Sequence, residues 1–199
     1  MALVSGAMQT LLLRGDPPFP SVNEAVPDAT AWPEWSRYAV SRPTGSVAHW
    51  DPWRTRMVVG QAWDETGWLG LHVMAHELAH GAQPRWRLRW ADGWIKGTLL
   101  VSVAAGLFGP AGWEVPLLAA SVLGLGDAGW RWPLEAQADD QAGERLASEI
   151  SDAPTRAAVR QWGQRIRRRH QAALAAETVF WAAVAAMLVA LTQALVSRH

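Results

Sequence analysis

Residues 67–83 read GWLGLHVMAHELAHGAQ and contain the pattern His76-Glu77-Leu78-Ala79-His80. On a helix, residues four apart share one face, so the two imidazoles can reach one metal ion while Glu77 projects beside that face. Apolar neighbours favour a buried helix, which we expect to run to about Ala79. The pattern predicts a zinc site in which Glu77 is the general base, accepting a proton from the attacking water and returning it to the leaving amine.

The same face of this helix extends back to His72, four residues before His76. From His72 to His80 the helix rises about 12 Å, which is too far for both residues to bind one tetrahedral ion. We therefore expect His72 to be a polar neighbour of the site or a surface residue.

A catalytic zinc takes three protein ligands and keeps one position open, so a further ligand is needed from another element. Glu135 meets this need from a second polar helix, predicted over residues 133–150. One turn later, Asp139 could accept a hydrogen bond from a ligand imidazole and fix its tautomer. Asp140 and Glu144 are rivals by position, so spacing alone leaves the third ligand open.

A group that stabilises the transition state is also expected in such a site, often a His, Tyr or Arg. Spacing cannot single out one residue for this role. The candidates are Tyr38, His49, Arg131 and His170.

Bulk composition narrows the classes of function. The chain has 199 residues, enough for one domain with a core, and its 18 basic and 18 acidic residues argue against a nucleic-acid binder. It contains no cysteine, which excludes disulfides, thiolate zinc sites and a cysteine nucleophile. The apolar stretch around Leu12 is short and has no basic residue before it, so a secretory signal is not indicated.

The segments that flank the active-site helix differ in character. Residues 14–56 are rich in proline and tryptophan and are expected to be irregular, with room for short strands, while residues 57–59 predict a strand. Asp64 or Thr66 could cap the active-site helix, and Gly81 with Pro84 should end it. Residues 85–96 are expected to form a basic, tryptophan-rich connection that could lie on anionic lipid headgroups.

The stretch from 97 to 126 carries a single charged residue, Glu114. Glycines and prolines divide it into halves of about a dozen residues, short of the ~20 that span a bilayer. This pattern favours a membrane-associated hairpin. A re-entrant or interfacial hairpin, one kinked span and a buried core hairpin all stay open.

The C-terminal part predicts a transmembrane helix. A helix over about 154–176 ends in the cluster Arg165, Arg167, Arg168 and Arg169, and residues 178–196 then carry no charge. Nineteen residues rise ~28 Å, close to the thickness of the hydrocarbon core, and the arginines favour a cytoplasmic N-terminal flank. We therefore expect an integral protein of the inner or plasma membrane whose catalytic part faces the cytoplasm. A buried or amphipathic C-terminal helix is the alternative, because Thr192 and Gln193 dilute the run.

His-Glu-x-x-His, followed across a hydrophobic hairpin by Glu135-Ala136-Gln137-Ala138-Asp139, resembles the HtpX-like and CAAX prenyl protease group of membrane zinc metallopeptidases. Small soluble minigluzincins share that core. The resemblance covers roughly residues 57–150. It implies that Glu135 is the third ligand of one Zn²⁺ per chain and that Asp139 is a hydrogen-bond partner behind the ligands.

These features predict a mainly α (α+β) fold with a zincin-like core, a small N-terminal sheet, a hydrophobic hairpin and a C-terminal transmembrane helix. The predicted domains are an N-terminal region at 1–56, a catalytic domain at 57–176 that contains the hairpin 97–126, and a transmembrane segment at 177–199.

The function expected from these features is membrane-associated, zinc-dependent endopeptidase activity on peptide or protein substrates, with membrane lipid as a second partner. One alternative is a catalytically inactive zincin that acts as an interaction or regulatory protein. Glu77 speaks against it, because structural zinc sites close all four positions and have no use for a free base. Hydrolysis of a non-peptide amide or ester would use the same residues. The oligomeric state is undetermined.

Overall fold

The computed structural model describes residues 19–41, 48–60, 67–108 and 114–197. This part of the chain is mostly helical and also contains one small sheet, so the mainly helical class predicted from the sequence is confirmed. The described residues form two compact units. The first combines residues up to Gln83 with Leu134–His170, and the second combines Pro84–Pro133 with Gln171–His199.

The sheet belongs to the first unit and has three short strands: β1 Ala39–Ser41, β2 Ala48–Asp51 and β3 Arg56–Val59. Their order is β1-β3-β2, with β3 parallel to β1 and antiparallel to β2. The strand predicted at residues 57–59 is confirmed. It lacks polar alternation because all three of its residues are buried in the centre of the sheet.

Helix α1 (Pro33–Tyr38) precedes β1, and helix α2 (Gly67–Ala79) carries the His-Glu-x-x-His pattern. Helix α2 ends at Ala79 as predicted, and a 3₁₀ turn, His80–Ala82, follows it. Gly67 has a φ of +59°, a conformation that favours glycine, at the start of the helix. The predicted caps Asp64 and Thr66 lie outside the described residues.

Helix α5 (Trp132–Ser148) confirms the helix predicted over 133–150 to within two residues at either end. It packs on the first part of helix α6 (Ala153–Val196) through glycines: a Cβ on Gly163 would lie 3.3 Å from the Cα of Gly143. The core of the first unit gathers apolar side chains from the sheet and from these helices. Its members include Met57, Val59, Leu71, Met74, Leu78, Leu146 and Val159.

Two expectations about the second unit need correction or refinement. Residues 85–96 are not a connection, because helix α3 runs without interruption over Arg85–Phe108. Pro84 accepts the first backbone hydrogen bond, from Arg87 N, and the arginines and tryptophans that follow are compatible with a helix. Helix α4 (Glu114–Gly126) follows, and a π-helical turn, Asp127–Arg131, leads on to α5.

Helix α6 is continuous over Ala153–Val196, where two successive helices were expected. The junction at residues 171–178 contains neither glycine nor proline and is rich in alanine, so nothing in it ends a helix. By length and composition α6 is able to cross a membrane, and it alone among the described helices meets that description.

Candidate metal centre

Helices α2 and α5 bring three predicted ligands together although 55 residues separate His80 from Glu135 in the chain. The Nε2 atom of His76 lies 3.1 Å from Glu135 Oε2, and Nε2 of His80 lies 3.7 Å from the same oxygen. The donor atoms of the three residues all lie within 4.8 Å of one another. The arrangement can therefore hold one metal ion between two imidazoles and a carboxylate.

Asp139 orients His76. Its Oδ1 atom accepts a hydrogen bond from Nδ1 of His76 at 2.9 Å, which leaves Nε2 facing Glu135. The carboxyl group of Asp139 is buried. Burial alone would raise its pKa, but the hydrogen bonds from His170 and His76 outweigh this effect and hold the pKa well below its usual range. Asp139 is therefore a carboxylate at neutral pH, and its position matches the predicted role.

Gln83 orients His80 in the same way, and sequence reasoning missed it. Its Oε1 lies 2.8 Å from Nδ1 of His80, while its Nε2 donates to the carbonyl oxygen of Leu134 at 2.7 Å. Gln83 thus ties the end of the active-site helix to the start of α5. The sequence feature that could have indicated this role is the position of Gln83, three residues after His80 and two after Gly81.

His170 joins the site from α6. Its Nδ1 lies 2.9 Å from Asp139 Oδ1, the oxygen that also accepts from His76. Its ring stands nearly perpendicular to that of His76, with the centroids 6.0 Å apart. His76, Asp139 and His170 form a second group whose geometry could hold a cation. His170, one of the four residues considered as transition-state stabilisers, contacts the site directly through Asp139.

The charges in the site favour a cation. Burial would raise the pKa of Glu135, but the charge of His80 and a hydrogen bond from His76 lower it to about 2. Burial would lower the pKa of His76, yet hydrogen bonds to Asp139 and Glu135 raise it well above its usual value. A positive charge on the His76 ring would therefore be stabilised by two carboxylates, Glu135 beside Nε2 and Asp139 beside Nδ1.

Glu77 lies between the metal-ligand candidates and the sheet. Burial raises the pKa of its carboxyl, the nearby imidazoles oppose that rise, and the backbone N–H of Trp50 donates to it. Trp50 is in β2, so this edge strand lies beside the active-site helix.

One of the two expectations for His72, that it is a surface residue, is wrong. It is buried with its ring edge-on to Trp162, at 4.9 Å between centroids. Burial lowers its pKa to about 3, so the imidazole is neutral at physiological pH.

The two rival ligands, Asp140 and Glu144, form ion pairs with arginines of α6. Asp140 pairs with Arg167 at 2.8 Å and Glu144 with Arg160 at 3.1 Å, on the exposed side of α5. Two of the residues considered as transition-state stabilisers also have other partners: Tyr38 packs on Gly81, and Arg131 pairs with Glu177 in the second unit. Glu135 is therefore the acidic residue of α5 that meets both histidines.

Comparisons with family models, with curated proteins and with solved structures gave no match to this chain. The function of this centre rests on its residues and their geometry.

Proposed function

We propose that this protein is a membrane-attached, zinc-dependent endopeptidase with His76, His80 and Glu135 as metal ligands. The observation that carries the proposal is the convergence of two imidazole Nε2 atoms and one carboxylate oxygen on a single point. Two histidines and a glutamate are the donor set of several catalytic zinc sites.

The separations of the donor atoms support zinc as the ion. With metal–ligand bonds of ~2.0–2.1 Å and tetrahedral angles, neighbouring donor atoms lie about 3.3 Å apart. The separations of 3.1 and 3.7 Å from Glu135 Oε2 to the two histidines bracket that value. Asp139 and Gln83 hold the Nδ1 sides of the two imidazoles and leave both Nε2 atoms available.

A zinc ion in this site would polarise the carbonyl group of the substrate and make water a stronger nucleophile at neutral pH. The side chain that moves the proton is Glu77. Because the pKa of its carboxyl is raised, Glu77 can accept a proton from the attacking water and then deliver that proton to the leaving amine. A carboxyl group with a lower pKa would be a weaker base for the first of these steps. His170, held by Asp139, is the side chain we assign to donate a hydrogen bond to the developing oxyanion.

The position of β2 favours a peptide over a small amide or ester. This strand is at the edge of the sheet and touches Glu77 through Trp50. An extended peptide can add to such an edge as a further strand and so lie across the catalytic residues. The resemblance to HtpX-like and CAAX prenyl proteases points to the same substrate class.

The attachment to the membrane would come from α6, whose residues 178–196 are uncharged. The arginines at 165 and 167–169 precede this run and favour the cytoplasmic side for their end of the helix. We place the protein in the inner or plasma membrane with its catalytic residues facing the cytoplasm.

Cleavage of casein by the purified, zinc-loaded full-length protein in detergent tests the proposal. Glu77→Gln should lower the rate about 10²–10⁴-fold and leave zinc binding intact, because the ligands are unchanged. Glu144→Gln is the matched control, since Glu144 is an exposed glutamate of α5. Equal activity in wild type and Glu77→Gln, or zinc-loaded wild type without hydrolysis of any peptide, would contradict the proposal.

A further inference from the structure

The second unit has the polarity of a membrane protein. We call α3, α4, the turn 127–131 and residues 171–196 of α6 the apolar bundle. Small and hydroxyl-bearing residues are buried inside it, and the hydroxyls of Ser102 and Thr178 bond to backbone carbonyls of their own helices, Thr98 O and Leu174 O. The buried set includes Thr98, Ser102, Ala119, Thr178 and Ala185, with Leu123 and Val189 as its larger members.

Large apolar side chains point outward from all three helices. Phe108 is 88% exposed, Leu125 75% and Leu100 71%. In α6, the most apolar 18-residue window is only 11% buried, whereas the core helix of a water-soluble protein would be mostly covered. A bundle in water buries its large apolar residues, and a bundle in lipid packs through small residues and turns the large ones outward.

One end of the apolar bundle is aromatic and charged. Arg131 pairs with Glu177 at 3.1 Å, and Trp181 donates to Glu177. Trp86 packs on Trp130 with 5.4 Å between ring centroids. The tryptophans in this part of the bundle are Trp86, Trp90, Trp94, Trp130 and Trp181, and Trp132 directly follows the turn 127–131. Such a belt is typical of the lipid headgroup level.

The contacts at this end align the three helices. Gln171 donates to the carbonyl of Trp132, and a Cβ on Gly124 would touch Thr178. Trp94 of α3 donates to the carbonyl of Val122 and packs on Gly126, so the part of α3 around Trp94, the end of α4 and the start of the uncharged run of α6 share one level. From that level the uncharged residues 97–108 of α3 rise ~18 Å, whereas the uncharged run of α6 rises ~28 Å.

We propose that the α3–α4 hairpin is embedded in the bilayer beside α6 and enters from the side of the tryptophan belt without crossing. The occupant of its outward face is lipid acyl chain. The difference in length makes α6 the spanning helix and leaves the hairpin about halfway through a hydrocarbon core of ~30 Å. Both arms of the hairpin are α-helices, whose interior backbone groups are paired within the helix as that environment requires.

The absence of cysteine in the natural sequence makes single-site spin labelling direct. Full-length Leu118→Cys, Leu125→Cys and Met187→Cys would be labelled and reconstituted in phosphatidylethanolamine–phosphatidylglycerol vesicles. Power-saturation EPR with oxygen, which enters lipid, and with a water-soluble nickel chelate then gives the depth of each label. Ala157→Cys, exposed in the first unit, and the fully buried Ala185→Cys are the controls for water and for protein interior.

We expect Leu118 and Met187 to lie at similar depths, with Met187 ~5 Å the deeper because Gly124 lies beside Thr178, and Leu125 to lie ~10 Å shallower than Leu118. Oxygen should be far more accessible than nickel at both Leu118 and Met187. Access of nickel to Leu118 would place the hairpin in water and overturn the proposal. So would exclusion of both reagents, which would mean that a second copy of the chain covers it, or equal depths at Leu118 and Leu125, which would mean a hairpin lying flat. Glu77→Gln should give the same profile, so this result is separable from the peptidase proposal.

Discussion

At Asp139 a single carboxylate oxygen accepts hydrogen bonds from two imidazoles, His76 and His170. Removing that carboxylate frees the ring of His76 and its tautomer, so zinc binding should weaken by about 10–100-fold in Asp139→Ala. Competition with a chromophoric chelator measures the change. Asp140→Ala is the matched control, because Asp140 is the adjacent acidic residue and pairs with Arg167 on the exposed side. Equal losses in the two variants would show that Asp139 has no specific role.

Gly126 illustrates a packing constraint in a single residue. The indole of Trp94 occupies the space that a Cβ on Gly126 would need, and its Nε1 donates to the carbonyl of Val122 at 3.2 Å. Gly126→Ala should therefore displace the ring and cost about 1–3 kcal/mol, seen as a lower thermal midpoint in detergent. Gly97→Ala, where a Cβ would meet nothing within 4 Å, should be neutral or slightly stabilising. A Gly126→Ala protein as stable as wild type would mean that Trp94 does not pack there.

Part of the site could be predicted because helical spacing is local. His76, Glu77 and His80 follow from a period of 3.6 residues, and Asp139 follows Glu135 by one turn. Gln83 and His170 could not be assigned in this way. Gln83 directly follows a 3₁₀ turn, and its spacing from His80 does not by itself predict the geometry of that turn. His170 is 31 residues from Asp139 and ends an arginine cluster that is typical of the flank of a membrane span.

Among the elements, α6 depends on its N-terminal cap. Asp152 accepts hydrogen bonds from the Thr155 hydroxyl and from Thr155 N, the latter at 2.8 Å, and these two bonds lower the pKa of the carboxyl. A lowered pKa in the folded state means that the stabilisation is present above the ordinary carboxyl pKa and is lost as the pH falls through the folded value.

Asp152→Ala should thus lower the thermal midpoint at pH 7 and have a smaller effect near pH 3. Asp152→Asn should keep most of the cap at both values, because the amide oxygen still accepts from Thr155 N. Circular dichroism in detergent gives the midpoints. A penalty in Asp152→Ala that grows in acid would contradict the assigned cap.

The elements also show where sequence patterns fail. In residues 85–90, arginine alternates with tryptophan or leucine, and this alternation hides the helical period of the segment. The pattern of residues 85–96 therefore favours a surface connection, although these residues form the first half of α3. The uncharged run at 178–196 reads as a separate helix because its composition changes abruptly, although the backbone of α6 continues through the change. Composition marks the environment of a helix, whereas its ends are set by capping and by breaker residues.

For the whole molecule, the metal centre joins two parts of the first unit that are far apart in sequence, residues 76–80 and Glu135. An ion that binds only the folded chain stabilises it in proportion to the logarithm of its excess over Kd, by ~2.7 kcal/mol at 100-fold excess. Chelation should therefore lower the thermal midpoint of wild type, and zinc should restore it. Glu135→Ala should respond little to either, while an identical response of the variant and wild type would place the stabilising ion elsewhere.

The most direct test of the central claim is the metal content of the purified full-length protein, measured by elemental mass spectrometry beside Glu135→Ala and the exposed control Glu144→Ala. We predict about one zinc per chain in wild type and in Glu144→Ala, with a marked loss in Glu135→Ala. A metal-free wild type that takes up no zinc, or a Glu135→Ala protein with full zinc content, would contradict the assignment of this centre.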